Sequence, residues 1–155
     1  MSNPISLIKS DHRKVIELFD TYKSLDAPEA KGEIANQIIK QLAIHAKMEE
    51  KLFYPRVKEI LGNNNPKIVE DALQEHHAAK LLLMELRIMS VKDPKYDSKM
   101  QVLEDSVIHH IEIEEATLLP FANDVMDKKA SESLGIEMKE YSEKAQMSML
   151  EKLFS

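Results

Sequence analysis

Two segments of the chain repeat one pattern of metal-binding side chains. "HAKMEEKLFYP", which begins at His45, and "HIEIEEATLLP", which begins at His110, share a histidine, a glutamate pair and a terminal proline at equal intervals. Because an α-helix turns about 3.6 residues at a time, His45 lies one turn from Glu49, and His110 one turn from Glu114. An imidazole nitrogen and a carboxylate oxygen placed in this way can bind the same metal ion.

Two more histidines lie on the apolar faces of the helices that precede these motifs. His12 is one, and the second is either His76 or His77. Distance along the chain favours His77, since the interval to His110 then equals the interval from His12 to His45. The side-chain pattern favours His76, because residues at the helical offsets around it are apolar, as they are around His12. We choose His76.

The sequence therefore predicts a buried metal site with ligands from four helices. A single His/Glu pair on a helix is more often a satisfied core histidine, but two matched pairs with two further histidines favour a shared site. The predicted ligands are His12, His45, Glu49, His76, His110 and Glu114. Adjacent helical residues point about 100° apart, so the neighbours of these six residues are predicted to lie outside the ligand set. These neighbours are Asp11, Glu50, Glu75, His77, His109 and Glu115.

The types of these side chains restrict the metal. The chain has no cysteine, so thiolate zinc sites, iron-sulfur clusters and disulfides are excluded. Nitrogen and carboxylate ligands suit iron, manganese or zinc better than calcium. Two carboxylates that bridge two ions, with the histidines divided between them, would use every ligand, and a centre with ions about 3.5 to 4 Å apart is the natural arrangement.

The elements that must position these ligands are helices. Only 3 glycines and 6 prolines occur in 155 residues, and residues that favour helix fill the long segments. The sequence predicts an all-α, up-down-up-down four-helix bundle with an accessory C-terminal helix. We expect helices over residues 4–25, 29–61, 66–90, 98–125 and 131–154, with Ser2 or Asn3 capping the first helix and "SES" the last. Residues 1–127 would form the bundle, and residues 128–155 the accessory helix packed on it.

The composition also limits the partners. Hydrophobic residues make up 43% and charged residues 31% of the chain, which is typical of a globular domain. The net charge of -6 and the absence of dense basic runs argue against nucleic acid. No secretory signal or membrane span is recognisable, so we expect a cytoplasmic protein without a membrane partner. Packing on the bundle is the favoured role of the accessory helix, and self-association is the alternative.

With these residues placed, the chain resembles the bacterial hemerythrin-like proteins of the HHE cation-binding family. "SDHRKVIELF", "HAKMEEKLFYP", "EHHAAKLLLMEL" and "HIEIEEATLLP" are similar to the family's four helices. The resemblance implies two non-haem irons, with His12 and His45 on one, His76 and His110 on the other, and both glutamates as bridges. Oxygen-carrying hemerythrins have a second histidine where this chain has Lys80, which implies more coordination positions for water, peroxide or nitric oxide.

Two classes of function are implied by this resemblance. The first is a di-iron protein that binds oxygen, nitric oxide or peroxide, or that senses iron or redox state. The second is a catalase-like enzyme that decomposes peroxide, and metal storage or a structural zinc site is a third alternative. Tyr54 could lie near the centre, but Leu119 takes its place in the second motif, so packing is its favoured role. Three roles are considered for Lys80: a surface residue, a residue whose stem extends along the core with its amine outside, and a charge that compensates the site; the first two are favoured.

Overall fold

The computed structural model describes residues 3–62 and 67–154, and every regular element in those residues is helical. In chain order the elements are α1 (Pro4–Ser24), α2 (Pro28–Met48), π1 (Glu49–Phe53), α3 (Tyr54–Leu61), α4 (Lys67–Ile88), α5 (Tyr96–Ile113), π2 (Glu114–Leu118), α6 (Leu119–Val125) and α7 (Lys128–Phe154). Here π1 and π2 are single π-helical turns that join α2 to α3 and α5 to α6. The predicted all-α class is confirmed. The predicted helix start at Pro66 and the alternative cap Ser2 lie outside the described residues.

The helices form four antiparallel rods: α1, α2 with α3, α4, and α5 with α6. Neighbouring rods pack as α1 on α2, α2 on α4, α4 on α5 and α5 on α1, which closes the bundle. Two contacts show that α1 and the last rod are antiparallel. Lys23, near the end of α1, pairs with Glu104 of α5, whereas His12, earlier in α1, contacts Glu115, which comes later in that rod. The predicted up-down-up-down arrangement agrees with this bundle.

Helix α1 shows how the sequence encodes these rods. The side chain of Asn3 accepts a hydrogen bond from the backbone N–H of Ile5 at 2.9 Å and so caps the first turn. Pro4 then occupies a first-turn position, where its missing N–H costs no helical hydrogen bond. The buried face carries apolar residues at three- and four-residue steps, with one histidine among them: Pro4, Ile8, His12, Val15, Phe19 and Tyr22.

Each of the two motif rods contains a π turn that begins at its inward glutamate. The N–H of Tyr54 bonds the carbonyl of Glu49, and the N–H of Leu119 bonds the carbonyl of Glu114. Proline cannot donate a hydrogen bond, and its ring collides with the carbonyl four residues earlier, so the wider turn accommodates Pro55 and Pro120. The two long helices expected over residues 29–61 and 98–125 are therefore each divided by a π turn just before the proline.

The core consists of two apolar clusters with the His/Glu motifs between them. Ile8 belongs to the cluster that contains Phe53, whereas Val15, two turns further along α1, belongs to the other cluster. His12 lies between Ile8 and Val15 on the same face. The site residues are thus surrounded by apolar side chains on both sides along the bundle axis.

The accessory helix α7 packs on α1, α2 and π1. Leu134 and Met138 are fully buried in the cluster of Phe53, whereas Met147 is largely exposed. The predicted "SES" cap is wrong, since the helix begins at Lys128 and the carboxylate of Asp127 accepts a hydrogen bond from the N–H of Ala130. Among the described residues, no helix is both long and apolar enough to cross a membrane.

Candidate metal centre

The six side chains predicted as ligands lie together in the middle of the bundle. His12, His45, Glu49 and Glu114 are buried, and His76 and His110 are nearly so. Each of the four rods contributes at least one of them, as the helical spacing predicts. Their proximity is a feature of the structure, and their role as metal ligands stays a prediction.

His12 and His45 form one half of the cluster. Their ring centres are 5.1 Å apart, and His12 Nε2 lies 3.1 Å from Glu114 Oε1. His45 Nε2 lies 3.0 Å from Glu49 Oε1. Two ligand atoms bound to one ion at about 2.1 Å are roughly 3 Å apart when they subtend a right angle. These separations therefore match those of atoms around a common ion.

His76 and His110 form the other half. Their Nε2 atoms are 3.3 Å apart. His76 Nε2 lies 3.3 Å from Glu49 Oε1, and His110 Nε2 lies 3.3 Å from Glu114 Oε2. Both glutamates thus contact both halves, as two bridging carboxylates would.

The second nitrogen of every histidine in the cluster faces a carboxylate. The pairs are His12 with Glu115, His45 with Asp11, His76 with Glu50 and His110 with Glu75, at 2.7, 2.8, 3.2 and 2.8 Å. An ionised carboxylate can only accept, so with these acids ionised each Nδ1 carries the proton and donates it. Such a bond fixes the tautomer and the ring orientation of a metal-binding histidine. The four outer acids therefore contact the cluster from outside, through the Nδ1 atoms of its histidines.

The inward atoms lack such partners. Five buried atoms in the described chain make no hydrogen bond: His12 Nε2, His45 Nε2, both carboxylate oxygens of Glu49, and Glu114 Oε1. Buried polar groups without partners are costly, and most of them in proteins are satisfied by protein, water or an ion. With the proton of a neutral imidazole on Nδ1, the lone pair of Nε2 is directed inward, so these residues in their neutral form fit a bound cation.

The same contacts shift the pKa values of the cluster when no ion is bound. Burial acts to lower the pKa of His45, but Glu49 and Asp11 outweigh it and hold that pKa well above its ordinary value. Burial likewise acts to lower the pKa of His110, and the Glu114 carboxylate overcomes it, raising that pKa to about 9. Burial acts to raise the pKa of Glu49, but His45 and His76 hold it well below its ordinary value. The protons on His45 and His110 then balance the negative charge of the buried carboxylates, as a metal cation would.

Tyr54 is part of this centre, although the sequence favours packing as its role. Its buried hydroxyl donates to Glu114 Oε2 at 2.5 Å and lies 3.2 Å from His76 Nε2. In a regular α-helix Tyr54 would point about 140° away from Glu49, five residues earlier. The π turn stacks it over that glutamate. The signal that could have located Tyr54 is Pro55, since a proline inside a helical pattern indicates an altered turn.

Three residues close to the cluster in the sequence have exposed side chains: His77, His109 and Lys80. The choice of His76 over His77 therefore agrees with the burial of the two side chains. Lys80 takes no place among the inward atoms, and its side chain lines a cavity that leads to them.

Two cavities reach the centre from different sides. The larger, of about 430 Å³, opens between α2 and α4 and is lined by all four histidines of the cluster. The smaller, of about 330 Å³, lies between α4 and α5 and touches His110 and Glu114. Residues of the centre thus line both cavities.

The sequence is similar to two curated proteins. It is 29% identical over 140 residues to a DNA nickase of Nostoc sp., covering 90% of this chain and 39% of that protein. It is 28% identical over 131 residues to an uncharacterized hemerythrin-like protein of Schizosaccharomyces pombe, covering 84% of this chain and 63% of that protein. The chain thus spans less than two thirds of the length of each relative.

The fold and the family agree with the geometry. A crystal structure of a hemerythrin HHE cation binding domain-containing protein from Mycobacterium kansasii superposes with a TM-score of 0.85 at 22% identity, covering 100% of this chain and 94% of the other. The family model for the hemerythrin HHE cation binding domain matches residues 3–122, which include residues of all four rods. This chain therefore belongs to the hemerythrin HHE cation-binding family.

Proposed function

We propose that this protein binds two non-haem iron ions and, at that centre, oxygen, nitric oxide or peroxide. The observation that carries the proposal is the orientation of the four imidazoles, whose outer nitrogens donate to carboxylates while the inner nitrogens converge. In this proposal His12 and His45 hold one ion, His76 and His110 hold the other, and Glu49 and Glu114 bridge them.

Two groups of potential ligand atoms support two ions rather than one. His12, His45 and Glu114 offer atoms that lie within 4.8 Å of one another, and so do Glu49, His76, His110 and Glu114. Membership of a cation-binding family supports a metal. Iron suits the mixture of imidazole and carboxylate, and manganese or zinc would be accepted by the same donors.

Bound iron would supply redox chemistry and coordination positions that the protein leaves open. The chain's own residues would do the rest. The outer carboxylates hold the imidazole rings in place, the apolar clusters keep bulk water from the centre, and the cavities admit small ligands. The Tyr54 hydroxyl holds a proton beside Glu114.

The iron content of the purified protein tests the proposal. We expect anaerobic loading to give two irons per chain and subsequent exposure to air to give the absorption bands of an oxo-bridged ferric pair. Glu49→Ala should lose iron, whereas Glu50→Ala, its exposed neighbour, should lose less. A single zinc ion per chain, or no tightly bound metal, would contradict the proposal.

A catalase-like activity is the second candidate, and the position of Tyr54 favours it. Converting two hydrogen peroxide molecules into one oxygen and two water molecules requires protons to move between peroxide oxygens, and Tyr54 places an O–H in the centre. We expect oxygen evolution from peroxide by the iron-loaded protein and a lower rate for Tyr54→Phe. Bleaching of the centre without turnover would leave only the binding function.

We do not propose a DNA nickase activity for this chain. The nickase is more than twice as long as the matched region, since the match covers 39% of it. The net charge of -6 also disfavours a nucleic-acid partner. Small ligands of the metal centre remain the partners that we propose.

A further inference from the structure

The larger cavity is much bigger than the small ligands of the proposed centre require. Its volume is about 430 Å³, whereas one water molecule in the liquid occupies about 30 Å³. Oxygen, nitric oxide or peroxide would fill only a small part of it. Along α4 the lining extends from Glu75 to Arg87, a rise of about 18 Å. The cavity is therefore long enough for an extended organic molecule.

Part of the wall beyond the histidines is apolar. This part comes from all four rods and includes the aliphatic side chains Val15, Ile39, Leu42, Leu83, Val107 and Ile111. Most of these side chains are buried in the cluster that contains Phe19. A hydrocarbon chain would be favoured in this space, since moving apolar surface out of water is favourable.

The charged residues that line the cavity are of two kinds. Asp11, Glu50 and Glu75 each accept a hydrogen bond from a histidine of the cluster, so they lie at the inner end of the cavity, and of these three only Glu50 is also exposed. The basic residues of the lining are all exposed: Lys47, Lys51, Lys80 and Arg87. The structure, over its described residues, pairs none of these cations with an acid. The exposed side of the lining, which is the opening, therefore carries four cations and one carboxylate, that of Glu50, in a protein with a net charge of -6.

We propose that this cavity binds a medium-chain monocarboxylate, with its carboxylate at the cationic opening and its alkyl chain directed toward the histidines. A guanidinium and three ammonium groups complement a carboxylate, and the aliphatic walls complement the chain. The proposal rests on the proposed function for the identity of the centre at the inner end. Binding itself requires only the cavity.

Calorimetric titration of the iron-loaded and the metal-free chain with octanoate tests the proposal. We expect saturable binding of one octanoate per chain with a Kd below about 1 mM. Octylammonium, with a similar chain and the opposite charge, and acetate, with the charge and no chain, should each bind at least about tenfold more weakly. Equal binding of octanoate and octylammonium, or no saturable binding of octanoate, would overturn the proposal.

Matched variants locate the binding. Lys80→Glu and Arg87→Glu change exposed residues of the opening and should each weaken octanoate binding about tenfold. Lys40→Glu, on the exposed face of α2 and outside the lining, should have little effect. Leu83→Trp should fill the cavity and abolish binding, and Leu81→Trp, outside the cavity, should not. Octanoate would be bound elsewhere if Lys40→Glu weakened binding as much as Lys80→Glu and Arg87→Glu, or if Leu81→Trp had the same effect as Leu83→Trp.

The iron content of the same samples separates this proposal from the proposed function. Iron bound at two per chain without octanoate binding would reject the cavity ligand and leave the centre intact. Octanoate binding without tightly bound iron would reject the centre and leave the cavity ligand intact. Both measurements use the full chain.

Discussion

At the scale of residues, the outer carboxylates form a closed ring around the bundle. Each one supports a histidine on the next rod rather than on its own: Asp11 of α1 reaches His45, Glu50 of π1 reaches His76, Glu75 of α4 reaches His110, and Glu115 of π2 reaches His12. The orientation of each imidazole therefore depends on a neighbouring helix. Loss of one carboxylate should affect the half of the centre that it touches.

The ring contacts differ in strength, and iron affinity should report the difference. Glu115 is 2.7 Å from His12 with its side chain 35% exposed, whereas Glu50 is 3.2 Å from His76 and 43% exposed. We expect Glu115→Ala to lower iron affinity by about 10- to 100-fold and Glu50→Ala by less. Competition with a chelator measures this, with Glu112→Ala on the exposed face of α5 as control. Equal losses for Glu115 and Glu112 would show that the ring does not support the ligands.

The adjacent histidines of α4 provide a second test at this scale. His76→Ala removes an inward nitrogen and should lose at least one iron per chain, because its Nε2 lies 3.3 Å from Glu49. His77→Ala should keep the iron, since that side chain is exposed. Metal analysis of both variants checks this, and loss of iron from the His77 variant would show that the metal is held by a different face of α4.

At the scale of elements, the two π turns set which side chains face the core after each inward glutamate. Each turn holds one residue more than an α-helical turn, so it shifts the buried face of the next helix. After Glu114 the buried residues are Leu118, Leu119 and Ala122, whereas an unbroken helix predicts Phe121 on that face. The equivalent shift in the first motif brings Tyr54 to the centre. Leu119 has no hydroxyl, so the two halves of the centre differ.

The first turn of α7 gives a prediction about stability alone. Asp127 accepts a hydrogen bond from the N–H of Ala130 at 2.7 Å, and Asp127→Ala would leave that donor without its cap. Loss of a cap costs about 1 kcal/mol, which lowers Tm by roughly 2 to 4 °C in a chain of this size. Thermal unfolding measures the change, and Asp124→Ala, at an exposed position of α6, serves as control. Iron content should not change, and identical Tm values for the two variants would contradict the capping role.

At the scale of the whole molecule, the bundle buries carboxylates that require compensation by a cation. Glu49 and Glu114 lie between two apolar clusters, and without metal the protonated histidines balance their charge. Protons and metal ions therefore compete for the same nitrogens. The stability of the metal-free fold and the affinity for iron should change with pH in opposite directions.

The raised pKa of His110 defines the pH range of this effect. Its proton stabilises the metal-free fold fully below pH 6.5, the ordinary value, and the stabilisation is lost as the pH rises through about 9. The free energy of unfolding of the metal-free chain should decrease over this range, while iron affinity increases. Denaturant titrations and chelator competition across the range measure the two trends. An iron affinity that does not change with pH would contradict the competition.

The sequence by itself determined the all-α bundle, the family and the proximity of six chemically matched side chains. These depend on local rules, since spacing along a helix fixes which residues share a face, and burial selects that face for the interior. His76 could be distinguished from His77 by this periodicity alone. The four-rod arrangement could be predicted because short connections join amphipathic helices.

Only the tertiary structure decided the partners of those side chains. The pairing of Glu115 with His12 joins α1 to the last rod of the bundle, and helical spacing carries no information about such a contact. The position of Tyr54 at the centre depends on a π turn. In this turn the N–H of Tyr54 bonds the carbonyl of Glu49, five residues earlier rather than four, which breaks the regular helical period. The cavity beside the centre exists because small and aliphatic side chains of four separate rods leave a space that no single segment defines.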